Sequence, residues 1–389
     1  MLEKIFAKID ELYDETVDIR RYLHQHPELS FKEYETAKYI ANFYEQLGIP
    51  YETKVGGNGV VATLKGGKPG KTVALRADFD ALPIQDQKDV PYKSTVEGVM
   101  HACGHDGHTA TLLTIAKALL PHQEEIPGTV VFLHQHAEEL APGGAKPMIE
   151  SGKLDHIDAF FGTHLWATVP RGIIQTNKHA LMAGSDRFEI EIQGKGGHGA
   201  APHETKDAIV IGTQLVQQLQ QIVSRRLDPL KTAVVTVGTF HAGTAFNIIA
   251  DSVKIGGTVR YLEQDVQDQI QKEMEMIIKG TCESHGVTYT FDYFKGYPPL
   301  INHPADAELI MDSAKTIAGV EEVQDILPIM GGEDFSYYII DKPGAYFFTG
   351  AKKEGYPHHH PMFDFDEKAM PIAAKTLIKV YFDYQEKHR

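Results

Sequence analysis

The alternation of short apolar segments with helical stretches is the feature that most constrains the fold of this 389-residue chain. Apolar runs rich in β-branched or aromatic residues occupy 60–64, 72–75, 129–133 and 159–162, and a helical pattern covers 110–120. Strands that are apolar on both sides must be buried on both sides, and in α/β proteins helices cover them. We therefore predict an α/β domain with a mostly parallel sheet flanked by helices.

A different pattern begins near residue 183. Residues 187–192 alternate strictly between polar and apolar side chains, which predicts a half-exposed strand. The elements that follow, up to residue 294, read β-α-β-β-α-β, the order of a ferredoxin-like unit. We therefore expect an inserted α+β domain over 183–294, and a discontinuous α/β domain formed by residues 1–182 and 295–389.

Composition and charge exclude several classes of protein. The net charge of -15 disfavours nucleic acid as a partner, because phosphate binding needs a basic surface. No apolar run reaches the roughly 18 residues of a membrane helix, so no membrane partner is expected. The N-terminus lacks the apolar core of a secretion signal, and two cysteines do not make a disulfide framework. A cytoplasmic location is the resulting expectation.

The segment 100–108 (MHACGHDGH) concentrates metal-binding side chains. It holds three histidines, one cysteine and one aspartate within nine residues. Imidazole, thiolate and carboxylate are ligands of zinc, nickel, cobalt and manganese. Cys103 and His105 are two residues apart, so in an extended segment they would lie on one side and share a metal. The alternative is a polar loop around a buried, unreactive cysteine.

Acidic residues follow two of the predicted strands, where open α/β sheets place their sites. Asp78 and Asp80 come after the strand over 72–75, where one of them can orient a metal-bound histidine; a helix cap or a solvated turn is the alternative for Asp78. Glu138 and Glu139 follow the strand over 129–133. Neighbouring residues of this kind point in different directions, so one can bind a metal while the other acts as a general base. Two exposed loop glutamates are the alternative.

Histidines complete the candidate set. His164 follows the strand over 159–162, although a lone histidine there is more often a core residue. Three consecutive histidines, 358–360, precede Pro361 near the C-terminus. Together these segments supply five donors, more than the three protein ligands of a typical catalytic zinc site. Two metals that share a bridging ligand fit this number better. The predicted ligands are Cys103, His105, Glu139, His164 and His359.

Six motifs in this order resemble those of a known family. They are RADFDALP (76–83), HACGHDGH (101–108), AEE (137–139), GKGGHGAAPH (194–203), GGEDF (331–335) and HHP (359–361). The chain resembles the dimetal aminoacylase and carboxypeptidase G superfamily of metallopeptidases. Within that superfamily it is similar to the amidohydrolase branch of auxin-conjugate hydrolases, hippurate hydrolases and N-acyl-amino-acid deacylases.

The resemblance implies a role for each motif. The five predicted ligands would bind two divalent ions (zinc, manganese, nickel or cobalt), and His359 is preferred to its two neighbours because it stands two residues before the proline. Glu138 would be the general base for a metal-bound hydroxide. The inserted domain would act as a lid and a dimerisation domain. Its His198 would reach the partner's active site and stabilise the oxyanion, whereas without the family a turn histidine is the simpler interpretation. A tetramer made of two such dimers is the alternative to the dimer, and the sequence does not decide between them.

Weaker candidates would contact the substrate. Asn247 and Arg260 lie in the predicted lid, where an amide and a cation can hold a carboxylate, although Arg260 can equally be a surface charge. Gly331 and Gly332 would let the backbone approach the substrate closely.

The combined expectation is a metal-dependent amidohydrolase that cleaves N-acyl amino acids or short N-blocked peptides. A carboxypeptidase or dipeptidase with the same site is the nearest alternative. A catalytically silent metal-binding interaction protein is an alternative of another class, and the intact Glu138 argues against it. A thiol-redox role for Cys103 is disfavoured because no Cys-x-x-Cys pair exists.

Overall fold

The computed structural model describes residues 1–353 and 355–389. The chain forms two compact units. The larger unit comprises Met1–Leu181, Ile301–Leu327 and Asp334–Arg389, and the inserted unit comprises Met182–Leu300 and Pro328–Glu333. The expected boundary after residue 294 falls inside a strand, Thr288–Tyr297, and the segment that contains Gly331 and Gly332 belongs to the inserted unit rather than to the larger one.

The elements alternate along the chain as follows. The described residues form the helices α1 (Leu2–Glu11), α2 (Tyr13–Gln25), α3 (Tyr34–Leu47), α4 (His105–Leu119), α5 (Ala145–Glu150), α6 (Ala208–Leu219), α7 (Gln264–His285), α8 (Pro304–Ala314) and α9 (Ala369–Lys387). They also form the strands β1 (Tyr51–Val55), β2 (Gly59–Lys65), β3 (Lys68–Asp78), β4 (Pro127–Gln135), β5 (Ala159–Trp166), β6 (Ile173–Thr176), β7 (Ala180–Met182), β8 (Gly184–Gln193), β9 (Gly197–His198), β10 (Ala233–Ala242), β11 (Ile248–Ile249), β12 (Ser252–Tyr261), β13 (Thr288–Tyr297), β14 (Leu300–Ile301), β15 (Glu322–Asp325) and β16 (Gly344–Gly350).

The larger unit is built on an eight-stranded sheet with the order β1-β2-β4-β3-β5-β16-β6-β15. Its centre, from β4 through β3 and β5 to β16, is parallel, as the apolar strands predict. Both faces are covered: on β5, Phe160 stacks on Tyr338 of the 3-10 helix Asp334–Ile339, whereas the next residue, Phe161, packs edge-on against Tyr384 of α9. Successive residues of a strand point to opposite faces of the sheet, so Phe160 and Phe161 are buried by different elements on the two faces.

The backbone at Leu12 and at Gly104 determines where three of the helices begin or end. Residues 2–25 form two helices, α1 and α2, because the backbone at Leu12 departs from helical geometry with ψ of 4°. Helix α4 begins at His105 rather than near residue 110, so Cys103 and His105 do not share an extended segment as expected. Gly104 makes this early start possible, since its φ of 101° lies in the left-handed region that favours glycine.

The inserted unit has an antiparallel sheet with the order β10-β12-β8-β13, together with α6 and α7. The chain order is therefore β-α-β-β-α-β, which confirms the predicted ferredoxin-like arrangement. Along β8, Phe188, Ile190 and Ile192 are buried in the core of this unit, and Arg187 and Glu189 alternate with them on the solvent side.

None of the helices in the described part of the chain has both the length and the apolar character needed to cross a membrane.

Candidate metal centre

The carboxyl ends of β3, β4 and β5 lie side by side because these strands are parallel neighbours. Asp78 is the last residue of β3, Gln135 ends β4, and His164 lies near the end of β5. The loops that follow β3 and β4 carry Asp80 and the pair of glutamates. The topology thus gathers, at one edge of the sheet, side chains that are far apart in the sequence.

The five predicted ligands converge at this edge. Ligand atoms of Cys103, His105 and Glu139 all lie within 4.8 Å of one another. The Sγ atom of Cys103 lies 3.3 Å from Nε2 of His164, and Nε2 of His359 lies 3.2 Å from Oε1 of Glu139. A thiol, three imidazoles and a carboxylate therefore form one continuous cluster in the larger unit, with the donor types that suit zinc-like metals.

Two atoms of this cluster are buried and accept no hydrogen bond of good geometry within the described residues: Nε2 of His105, and Oε1 of Glu139, whose neighbour is Nε2 of His359 at 3.2 Å. Leaving a buried polar atom unpaired costs about 1–3 kcal/mol. Each of these atoms has a lone pair that can coordinate a cation, so a bound metal ion would provide both with the partner that they lack. The residues present fit a metal centre.

Asp80 orients two of the ligands. Its backbone carbonyl and its Oδ1 lie 3.0 Å and 3.2 Å from Nδ1 of His105. Its Oδ2 accepts from the backbone N–H of Glu139 at 3.0 Å and from the hydroxyl of Ser30 at 2.7 Å. With the proton of His105 on Nδ1, the lone pair of Nε2 faces the cluster, which is how a second carboxylate commonly fixes a metal-binding histidine.

Asp78 is buried and paired, so neither a helix cap nor a solvated turn describes it. Its Oδ2 accepts from Nη1 of Arg76 at 2.6 Å, and its Oδ1 lies 2.6 Å from Nδ1 of His108. The Nε2 of His108 accepts from the backbone N–H of Leu165 at 2.9 Å, so the proton of His108 is on Nδ1. Asp78 thereby links β3 to α4, and its Oδ2 lies 3.7 Å from Nε2 of His105.

The pair of glutamates is not exposed. Glu138 is buried, its Oε2 lies 3.9 Å from Nε2 of His105, and the side chain of Glu139 is 8% exposed. The preceding residue, Ala137, has a φ of 52° in the left-handed region, which is unfavourable for a residue with a Cβ. This turn directs both carboxylates to the cluster immediately after the regular strand β4 ends.

The three consecutive histidines have different environments. The Nε2 of His358 accepts from the backbone N–H of Ala167 at 3.0 Å, and Nδ1 of His360 accepts from the N–H of Met362 at 3.1 Å. Among the three, His359 lies at ion-pair distance from Glu139, whereas His358 has a ligand atom within 4.8 Å of those of Cys103 and His164. The backbone of His359, with a φ of 62°, is held by a bond from its N–H to the carbonyl of Ala102 at 2.8 Å. This geometry favours His359 as the ligand.

The electrostatics of the cluster favour bound cations. Burial lowers the pKa of His105, but Asp78, Asp80 and Glu139 outweigh this effect and raise it to about 10. Burial and the nearby carboxylates of Glu139 and Glu138 hold the pKa of the Cys103 thiol well above its usual value. A concentration of buried negative charge therefore stabilises positive charge here, and a metal ion would in turn stabilise the Cys103 thiolate.

One set of supporting residues escaped the sequence analysis. Asp106, next to His105, accepts from Nε of Arg20 at 2.8 Å and lies 2.8 Å from Nδ1 of His24. Both partners are fully buried on α2. A signal was present, because Arg20 and His24 are four residues apart and so share one face of a helix. What the sequence does not reveal is that this face meets the metal-binding loop.

The inserted unit brings His198 and Asn247 together. His198 on β9 pairs with Ile248 on β11, and the carbonyl of Asn247 accepts from the N–H of Gly199 at 2.9 Å. The side chain of His198 is exposed, and its Nδ1 accepts from the N–H of Ala200 at 3.0 Å. In the neutral ring the proton is therefore on Nε2, which is free to donate a hydrogen bond.

The remaining candidates also lie in the inserted unit. Arg260 on β12 is half-buried, and burial lowers its pKa. It donates to the neutral carbonyl of Val259 at 3.0 Å, and no carboxylate of the described residues lies within ion-pair distance of its guanidinium. A Cβ on Gly331 or Gly332 would approach Met182 or Ser185 to 3.3 Å, so these glycines have a packing reason within their own unit.

Comparisons with known proteins identify the family of the chain. Residues 74–382 match the Peptidase family M20/M25/M40. The chain is 47% identical to the N-acyl-L-amino acid amidohydrolase of Geobacillus stearothermophilus over 77% of this chain and 81% of that protein. It is 41% identical to thermostable carboxypeptidase 2 of Saccharolobus solfataricus over 96% of each chain. The crystal structure of the Bacillus subtilis YXEP protein, described as a dinuclear metal binding peptidase from the M20 family, is similar with a TM-score of 0.85 and 33% identity, covering 97% of this chain and 99% of that one.

Proposed function

The chain belongs to peptidase family M20/M25/M40, and from this premise we propose that it hydrolyses N-acyl amino acids at a two-metal site with Glu138 as general base. That it is a metal-dependent hydrolase of amide bonds follows from the family and from its amidohydrolase relatives. The observation that carries the proposal is that ligand atoms of Cys103, His105 and Glu139 lie within 4.8 Å of one another, and that buried Nε2 of His105 and Oε1 of Glu139 accept no hydrogen bond of good geometry within the described residues.

In this proposal Cys103, His105, Glu139, His164 and His359 would hold two divalent ions. When bound, such ions polarise a substrate carbonyl and lower the pKa of a water molecule. Asp80 keeps the Nε2 of His105 aimed at the site, and it holds the backbone of Glu139 at the same time. Asp78, fixed by Arg76 and His108, adds negative charge beneath the cluster.

Glu138 moves the proton. Its carboxylate is buried beside His105, so little water screens it. It takes a proton from the water that attacks the amide carbonyl carbon, and it returns that proton to the nitrogen as the C–N bond breaks. The products are a carboxylic acid and a free amine, so the atoms of one water molecule are divided between them.

His198 would stabilise the oxyanion from a second subunit. With Nδ1 occupied by the N–H of Ala200, its Nε2–H is the available donor. A donor of this kind contributes about 2.7–4 kcal/mol to barrier lowering. The inserted unit would then be a lid and dimerisation domain, and Asn247 and Arg260 would hold the substrate carboxylate. Mixing subunits that carry E138Q with subunits that carry H198A tests this: activity returns only if His198 works in the partner's site.

The amidohydrolase and carboxypeptidase names of the relatives leave two substrate classes, acylated amino acids and peptides. A panel of N-acetyl and N-benzoyl amino acids, N-blocked peptides and free dipeptides separates them. We expect the highest kcat/KM on the N-acyl amino acids; a preference for peptides would make the protein a carboxypeptidase or dipeptidase.

The proposed location is the cytoplasm. Both cysteines are free, and Cys103 must stay reduced to act as a metal ligand, which a reducing compartment supports.

The decisive test of the mechanism is E138Q. We expect metal content to stay at the wild-type level while kcat falls by about 100-fold or more, because proton transfer by a positioned side chain contributes about 10²–10⁴-fold. E150Q is the matched control, since Glu150 is exposed at the end of α5 and pairs only with Lys146 among the described residues. Wild-type turnover by E138Q would remove Glu138 from the mechanism.

A further inference from the structure

Glu33 is a fully buried carboxylate just before α3, outside the metal centre. Its Oε1 accepts two backbone hydrogen bonds, from the N–H of Phe31 at 2.9 Å and from the N–H of Ala137 at 2.8 Å. Its Oε2 accepts from Nδ2 of Asn58 at 2.9 Å. No lysine, arginine or histidine of residues 1–353 and 355–389 lies within ion-pair distance of this carboxylate, so its partners are three neutral donors.

Both backbone partners have an unusual conformation. Phe31 has a φ of 66° and Ala137 a φ of 52°, and both carry a Cβ. The left-handed region costs such residues about 1–2 kcal/mol each, so they stay there only when the surroundings hold them. A single oxygen atom of Glu33 accepts from both of these N–H groups, which makes it the common anchor of two strained turns.

The turn at Ala137 directs the proposed catalytic pair. Glu138 and Glu139 follow it directly, and β4 ends just before it at Gln135. The carbonyl of Ala137 accepts from the N–H of Gly144 at 3.1 Å, so the residue is held on both sides. The N–H of Glu139 is held in turn by Asp80. Glu138 therefore lies between two anchored residues, and Glu33 provides the first anchor.

We propose that Glu33 is a positioning residue that holds the left-handed turn at Ala137 and thereby aims Glu138 and Glu139 at the metal centre. This rests on the roles proposed above for these two glutamates. Glu33 contacts Ala137 and not the reacting atoms, so it acts on the geometry of the site alone. A displacement of about 1 Å in a catalytic group can cost about 100-fold in rate.

The required property of Glu33 is an acceptor oxygen rather than a charge. Burial raises the pKa of Glu33 to about 7, so the carboxyl is not firmly ionised near neutral pH. Glutamine keeps an oxygen for the two N–H groups, and the half-buried Asn58 can turn its own amide oxygen toward the new NH₂ group. Leucine is apolar and leaves both N–H groups without an acceptor.

The experiment compares E33Q with E33L. For E33L, assayed with excess metal so that the site stays loaded, we expect kcat to fall by about 100-fold while KM stays within about threefold; for E33Q we expect kcat within about threefold of wild type. E35L is the matched control, because the side chain of Glu35 is 78% exposed on the same helix. Wild-type kcat in E33L would overturn the proposal, as would an equal loss in E33Q and E33L.

A second variant keeps the test decisive if E33L folds poorly. Glycine adopts the left-handed conformation without the cost that alanine bears, so A137G should reduce the dependence on Glu33. We expect E33L to cost at least about tenfold less in kcat in the A137G background than in wild type. Additive effects of the two substitutions would refute the link.

E138Q, measured in parallel, reports on the proposed function itself. An active E138Q variant would refute that function, whereas an inactive E138Q variant together with an active E33L variant would refute only the role of Glu33.

Discussion

The Nε2 atom of His359 lies 3.2 Å from Oε1 of Glu139, so the loop that precedes α9 closes on the loop that follows β4. The side chain of His359 is 51% exposed, whereas that of Glu139 is 8% exposed. The histidine therefore lies at the solvent side of the cluster, over a buried carboxylate. This relationship distinguishes His359 from its two neighbours more firmly than any motif spacing does.

Replacing His359 should remove a ligand, whereas replacing His360 should not. We expect H359A to bind one metal ion fewer per subunit and to lose at least about 100-fold in kcat/KM, since the second ion of the clamp is lost. H360A keeps the cluster intact, because Nδ1 of His360 contacts only the N–H of Met362 and its ring stacks on Tyr356. Elemental analysis with kinetics checks both. Equal metal loss in the two variants would contradict the assignment.

Asp80 should control metal affinity through His105 and Glu139. In wild type, one carboxylate oxygen of Asp80 accepts from His105 and the other accepts from the N–H of Glu139. In D80N an NH₂ group replaces one of these oxygens and cannot accept, so the side chain can hold only one of the two partners. We expect metal affinity to fall by about 10–100-fold, as is usual when a residue that orients a metal ligand is lost. Titration with a competing chelator measures this. D89N, at an exposed position, should leave the affinity unchanged; a normal affinity in D80N would show that Asp80 orients nothing.

Chelation should destabilise the protein as well as inactivate it. An ion that binds only the folded state adds about 4 kcal/mol to the free energy of unfolding when its free concentration is 1,000 times its dissociation constant. For a chain of this size each kcal/mol corresponds to roughly 1 °C in Tm, because the entropy of unfolding is about 2.1 cal/mol/K per residue. We expect a chelator to lower the wild-type Tm by several degrees in a thermal melt, and to have a much smaller effect on E139Q. An unchanged wild-type Tm would mean that the cluster holds no structural metal.

The sequence predicts those parts of the fold in which the spacing of apolar side chains follows a single period, and those parts of the site in which the candidate residues lie in one motif. Strictly alternating residues such as Phe188 and Glu189 reveal the strand β8, and apolar runs reveal the buried sheet. The convergence of the predicted ligands has a partial sequence signal, because Glu139 and His164 come at or after the ends of buried strands. These signals depend on local spacing, so a single sequence carries them.

Contacts between distant segments are what the sequence does not contain. That Asp106 meets Arg20, or that Glu33 accepts from Ala137, depends on how helices pack against the sheet. The left-handed backbone of Ala137 has no sequence signal, since alanine normally avoids it. Tertiary contacts impose such conformations, and residues with ordinary propensities can therefore have special roles.

The last prediction concerns pH and lies outside the metal centre. His134 on β4 is fully buried, its Nε2 lies 2.8 Å from the hydroxyl of Tyr44, and its Nδ1 has no partner within the described residues. Burial lowers the pKa of His134 to about 3 from the ordinary 6.5. Below pH 6.5 the unfolded chain binds a proton at this residue and the folded chain does not, so the free energy of unfolding falls as the pH falls toward 3.

H134Q should lack this contribution. We expect the free energy of unfolding of wild type, relative to H134Q, to decrease by about 2 kcal/mol between pH 6.5 and pH 5, since one proton is worth about 1.36 kcal/mol per pH unit. Denaturant titrations at the two pH values measure it. H156Q, at an exposed position, is the matched control and should show no such change. A constant difference between wild type and H134Q would mean that burial does not shift the pKa of His134 in the folded protein.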